Sequence, residues 1–150
     1  MITPIPYETL GHADHGWLNA RHHFSFASYY DPKRMGFGAL RVINDDIIQA
    51  GTGFGLHPHQ NMEIITYVRQ GAITHRDNQG NEGRTVAGDV QVMSAGTGIL
   101  HSEMNRGDTP CRLLQIWIEP VNKGLEPSYK QRHIEVGKAW TPLLSPDQSE

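Results

Sequence analysis

The chain reads as an all-β protein, a double-sheet, jelly-roll-like barrel with little helix, and three observations predict it. Its apolar residues fall in many short segments rich in β-branched and aromatic side chains, each bounded by turn residues. No segment sustains the period of a long helix. Two glycine-rich stretches each lead into a pair of metal-capable side chains, so the strands carry a functional interior, as closed or double-sheet folds do.

Taken in order, the first residues, Met1-Ile2-Thr3-Pro4-Ile5-Pro6, lack both a basic region and a long apolar run. Neither a signal peptide nor a membrane span is predicted, and the cytoplasm is the expected compartment. Phe24, Phe26, Tyr29 and Tyr30 follow; packing one sheet on another is the commoner use of such side chains, and lining an aromatic pocket is the rarer one. Arg41-Val42-Ile43-Asn44 is the first clear strand. Gly51-Thr52-Gly53-Phe54-Gly55-Leu56 then predicts a bend, since glycine tolerates positive φ and lets the backbone approach closely. It runs into His57-Pro58-His59. Ile64-Ile65-Thr66-Tyr67-Val68 is a second strand. Asp77-Asn78-Gln79-Gly80-Asn81 reads as a hairpin connection between Ile73-Thr74-His75 and Arg84-Thr85-Val86. Val90-Gln91-Val92-Met93 is a third strand, and a second glycine-rich bend, residues 95–100, runs into His101-Ser102-Glu103. Leu113-Leu114-Gln115-Ile116-Trp117-Ile118 closes the series.

In an extended segment residues two apart point to one face. Each dyad therefore aims two metal-capable side chains the same way, and two such strands can hold one metal. Three imidazoles and a carboxylate suit iron, nickel, copper or manganese and leave coordination positions open, as in a working site. His22, His23 and His75 have no partner at ligand spacing and are expected to be solvated or hydrogen-bonded. His12, His15 and His133 receive no assignment.

A chain of 150 residues buries about 70% of the surface its unfolded form exposes, enough core to fold without metal. The formal net charge is −3 and the 13 lysines and arginines are scattered, which argues against direct nucleic-acid contact. Cys111, the single cysteine, excludes an intramolecular disulfide and is expected to be a small buried hydrophobe.

Gly51, His57, His59 and Glu63 together resemble the first motif of the cupins, and Gly88, His101 and Asn105 resemble the second. The match is best to the pirin family. It rests on His57-Pro58-His59, on the stretch from Gly88-Asp89 through Met93-Ser94-Ala95-Gly96-Thr97-Gly98-Ile99-Leu100-His101-Ser102-Glu103, and on His23-Phe24-Ser25-Phe26-Ala27 with Tyr30-Asp31-Pro32. It spans roughly residues 10 to 135. Gly71 comes one residue later than in general cupins, and the spacer from Ser94-Ala95-Gly96 to His101 is longer and lacks their proline; both features are similar to pirins.

The resemblance implies a cupin-type barrel with His57, His59, His101 and Glu103 as metal ligands. Glu63 is the equivalent of a ligand in many cupins and, four residues from His59, can also face inward on period alone. It ranks as a group behind the ligands or a reserve ligand. The implied activity is that of a metal-dependent quercetin 2,3-dioxygenase, with a small aromatic flavonol and dioxygen as substrates and one divalent transition metal. Iron comes first, with nickel, copper, manganese, cobalt or zinc as alternatives. Glu103 or Glu63 would be the base that takes the flavonol proton. The alternatives are a metal- or redox-dependent regulatory binding protein of the pirin type without turnover, working through a protein partner, and a cupin whose metal is purely structural. Residues 1–140 are expected to form the N-terminal cupin domain, with residues 141–150 a tail or the start of a linker to a second half. A homodimer covering the surface such a half would occupy is expected.

Overall fold

The computed structural model describes residues 2–135, 137, 141 and 142. Most of the expected tail therefore lies outside the described residues. Eleven strands occur among the described residues: β1 (Gly11–Asp14), β2 (Leu18–His22), β3 (Leu40–Ile48), β4 (Gly53–His59), β5 (Glu63–Gln70), β6 (Ala72–Asp77), β7 (Glu82–Val86), β8 (Asp89–Ser94), β9 (Ile99–Met104), β10 (Cys111–Ile118) and β11 (Ser128–His133). One 3-10 turn, Tyr7–Thr9, precedes them. The strands form a seven-stranded sheet in the order β1-β2-β3-β10-β5-β8-β11 and a four-stranded sheet in the order β4-β9-β6-β7.

Every strand expected from the sequence lies within an observed one, and the β6–β7 hairpin turns where expected. Strands β1, β2 and β11 were not foreseen. Gly-His-Ala-Asp, Leu-Asn-Ala-Arg-His and Ser-Tyr-Lys-Gln-Arg-His carry almost no β-branched residues. Strands β1 and β11 are the two edges of the large sheet, where polar side chains guard open backbone groups.

Burial alternates along β3 and β10, so one face of the large sheet looks inward. Ile48, Val68, Ile73, Cys111 and Leu113 make one inner cluster with Leu18 and Ala20; Ile64, Met93, Ala95 and Ile99 make another. Each fully buried aliphatic side chain there contributes about 1.5–3 kcal/mol relative to exposure. Cys111 is the buried hydrophobe expected, its thiol pushed up to about 11 by burial. Phe26 packs edge-on against Trp117 and Tyr29 stacks on His22, while Tyr30 is exposed.

Between the two apolar clusters the interior is polar. Register aligns His22 with Asn44, Asn44 with Gln115, Gln115 with Thr66 and Thr66 with Gln91, a single row across β2, β3, β10, β5 and β8. All five are buried. Apolar side chains would cost nothing to bury, so a row of amides and a hydroxyl needs partners. His22 and Asn44 pair with each other, and the small sheet supplies Glu103 to the other three.

Candidate metal centre

Strands β4 and β9 pair antiparallel, with His57 opposite His101. Phe54 also sits opposite Glu103, and the register shifts between these two pairs because β4 carries one extra residue there. That bulge changes the parity of β4, so Phe54 packs into the core while His57, three residues later, also turns inward. Pro58 is tolerated because β4 is an edge strand. Gly53 must be glycine: a Cβ there would run into the backbone oxygen of Glu103. Gly96, in the bend before β9, has φ +48 and lies against the carbonyl of Leu125.

The result is a cluster of His57, His59 and His101, whose ligand-capable atoms all lie within 4.8 Å of one another. The ring centroids are 4.4 Å apart for His57 and His101, 4.8 Å for His57 and His59, and 4.9 Å for His59 and His101. Burial, reinforced by the charge of His57, pulls His59 down to about 4. Burial and then the charges of His57, His59 and His75 pull His101 down to about 3, against a smaller opposing effect of Asp77. Both rings are thus neutral near pH 7, the form in which imidazole binds a metal.

The donor atoms fit an ion. Nδ1 of His57 lies 2.7 Å from the Gly55 carbonyl, to which it donates, leaving Nε2 with its lone pair. Nδ1 of His101 lies 3.3 Å from Nδ1 of His75, and Nε2 of His101 is buried without any hydrogen-bond partner. A buried imidazole nitrogen with no partner is costly unless something else occupies its lone pair.

Glu103, two residues along β9, faces the same interior but stands apart from the histidine cluster. Its Oε1 accepts from Gln91 Nε2 at 2.6 Å and from Thr66 Oγ1 at 3.3 Å, and its Oε2 accepts from Gln115 Nε2 at 2.6 Å. Neither amide is free to flip: Gln91 Oε1 accepts from Thr85 and Tyr129, and Gln115 Oε1 from Trp117 Nε1. Burial pushes the Glu103 carboxyl up, while His75, Gln115, His57 and Thr66 act against it.

Glu63 is placed elsewhere. The turn after His59, with Asn61 at φ 49, carries the chain from the small sheet to the large one, so the two-residue period does not run through it. On β5 the inward positions are Ile64, Thr66 and Val68. Glu63 shares the opposite face with Ile65 and accepts a hydrogen bond from Ser94.

His75 is hydrogen-bonded, as expected, but completely buried. Its Nε2 lies 2.8 Å from Asp77 Oδ2 and its ring stacks on Tyr129 at 4.1 Å. Sequence reading missed its partner Asp77, and it missed Gln91 and Gln115, the amides that hold Glu103. For the two amides the available signal was a polar residue inside an apolar strand. An open cleft of about 290 Å³ borders His59, lined also by Pro58, Gln60, Asn78, Thr97 and Leu100. No helix among the described residues is long and apolar enough to cross a membrane.

This geometry can be set beside known proteins. A pirin-like protein of Caulobacter vibrioides is 63% identical over 137 residues, which is 91% of this chain and 59% of that one. The quercetin 2,3-dioxygenase of Escherichia coli K12 is 56% identical over 138 residues, 91% of this chain and 60% of the relative. The crystal structure of the bacterial pirin YhhW from Escherichia coli in complex with nickel(II) matches at a TM-score of 0.84 and 56% identity, covering 87% of this chain and 57% of that one. The chain spans about three-fifths of the length of the curated relatives it matches. Since the Pirin family model matches residues 6–118 and the barrel carries the histidines that the resemblance implies, the chain belongs to the pirin family.

Proposed function

We propose that the protein is a dioxygenase acting on quercetin or a related flavonol with one divalent transition metal. The observation that carries the reading is the convergence of His57, His59 and His101, with Nε2 of His101 buried and unpartnered. The Escherichia coli relative is named a quercetin 2,3-dioxygenase, and YhhW was crystallised with nickel(II), which supports both halves of the proposal. Iron is placed first, and nickel, copper, manganese, cobalt and zinc suit the same donors. When bound, the ion supplies a Lewis acid that favours the ionised form of a hydroxyl on the substrate.

The protein's own part is positioning and proton handling. His57, His59 and His101 would hold the ion through ring nitrogens, and burial keeps His59 and His101 neutral for that purpose. Glu103 is proposed as the fourth ligand and as the base for the flavonol proton, reached by giving up one of its amide contacts. The cleft beside His59, with Trp117 edge-on to that ring at 4.9 Å, is the proposed side of substrate approach. Glu63, on the opposite face of its sheet, takes no part.

The test is quercetin consumption by metal-loaded protein with and without dioxygen. Consumption is expected only with dioxygen, and the metal-free protein should be inert. Equal consumption by free metal at the same concentration would refute turnover and favour a regulatory binding protein.

A further inference from the structure

The groups behind His101 form a chain whose proton positions are determined by one end. Asp77 Oδ1 accepts the backbone N–H groups of Gln79 and Asn81, and Asn81 Nδ2 reaches both oxygens. Surrounded by donors, the carboxylate only accepts. His75 Nε2, 2.8 Å from Oδ2, must therefore carry a proton. In a neutral ring that leaves His75 Nδ1 as an acceptor. The one group facing it is Nδ1 of His101 at 3.3 Å, which then carries the proton and leaves Nε2 of His101 bare. That is the buried nitrogen with no partner, in the three-histidine cluster.

We propose that Asp77 and His75 are positioning residues that fix the tautomer of His101, so that its Nε2 faces the metal site as a lone pair before any ion arrives. The inference rests on the proposed metal site for its purpose, but its proton positions are a property of the metal-free protein. The side chains of His75 and Asp77 are both fully buried, so water does not offer an alternative set of donors. Tyr129, stacked on His75 at an interplanar angle of 13°, holds the ring in plane. The relay begins in the β6–β7 turn and ends at the site, which gives that hairpin a role beyond connecting two strands.

Asp77→Asn tests this because it inverts the relay with a side chain of the same shape, Asn81 Nδ2 giving up Oδ2 and keeping its contact at the Oδ1 position. The amide oxygen takes the place of Oδ1, where two backbone N–H groups demand an acceptor. The NH2 group then faces His75 Nε2, which must accept. His75 shifts its proton to Nδ1, and His101 must carry its own on Nε2, the atom meant for the metal. Two readouts apply. Imidazole nitrogen-15 spectra of the metal-free protein at neutral pH should show Nε2 of His101 bare in the parent and protonated in Asp77→Asn. Nickel(II) affinity, measured by competition with a chelator, should fall about 10- to 100-fold in the variant, as for other groups that orient a metal-bound histidine. A thermal melt checks that the barrel is intact.

A protonated Nε2 on His101 in the parent protein would overturn the proposal, as would an Asp77→Asn variant with the parent's tautomer and affinity. His75→Phe is the second variant: it removes the relay while filling the space, and should weaken nickel(II) binding without forcing the proton onto Nε2. If the parent binds no nickel(II), the metal site fails, and the spectra still decide the relay.

Discussion

Asp46→Asn should stabilise the metal-free protein, and by an amount that grows with pH. Asp46 points inward from β3, is 2% exposed, and its Oδ1 has no hydrogen-bond partner. Burial raises its carboxyl from 3.8 to about 7, with the charges of Glu103 and Asp45 adding to the effect. In the unfolded chain the acid ionises as pH passes 3.8, whereas the folded protein holds the proton until about 7. The contribution is complete below the unfolded value, is lost progressively as pH rises between the two, and changes no further above the folded one. At about 1.4 kcal/mol per pH unit, the loss reaches about 2 kcal/mol by pH 5 and about 4 kcal/mol by pH 8 as an upper bound. Asparagine has the same shape and never ionises, so it avoids that loss. Urea denaturation of both proteins at constant ionic strength from pH 5 to pH 8 measures the difference. A difference that does not change with pH, or a parent more stable than the variant at pH 8, would refute the reasoning.

The remaining expectations are simpler. Ile73→Ala removes a fully buried side chain packed with Ile48, Val68 and Leu113, and should cost about 2–5 kcal/mol in denaturant unfolding. Gln115→Leu deprives Glu103 of a donor and Trp117 of an acceptor; a loss of about 1.5–3 kcal/mol is expected, and no loss would mean that water replaces the amide. The double variant His57→Ala/His101→Ala should lose its metal by elemental analysis while circular dichroism still reports the barrel. Stoichiometric metal in that variant would place the site elsewhere.

Much of the barrel was legible because its strands announce themselves locally. The runs at residues 41–44, 64–68, 90–93 and 113–118 are apolar, short and flanked by turns, and each lies inside an observed strand. Strands β1, β2 and β11 were not legible, since their residues are polar and their pairing is decided by neighbours far along the chain. The same division runs through the site. Each dyad was visible as a local pattern, but Gln91, Gln115 and Thr66 each looked like a lone interruption of an apolar strand, and Asn44 like the polar end of one. Only the register of the large sheet makes them a row, and only the facing sheet reveals what the row holds.

The sharpest limit of local reading is the bulge in β4. A period of two tells which side chains share a face within one strand, so His57 and His59 go together, as do His101 and Glu103. It cannot say whether the two faces meet. Without the extra residue in β4, Phe54 and His57 would point to opposite faces, and burying Phe54 in the core would turn both histidines outward. The glycines at 53 and 55 are what make the extra residue tolerable: one lies against the backbone of β9, and the other offers its carbonyl to His57. The same extra residue that spoils the period therefore aims the ring and selects its tautomer. A glycine-rich stretch before a histidine pair is thus informative for what it does to parity, not only for marking a bend, and the carbonyl two residues before the first histidine is part of the site.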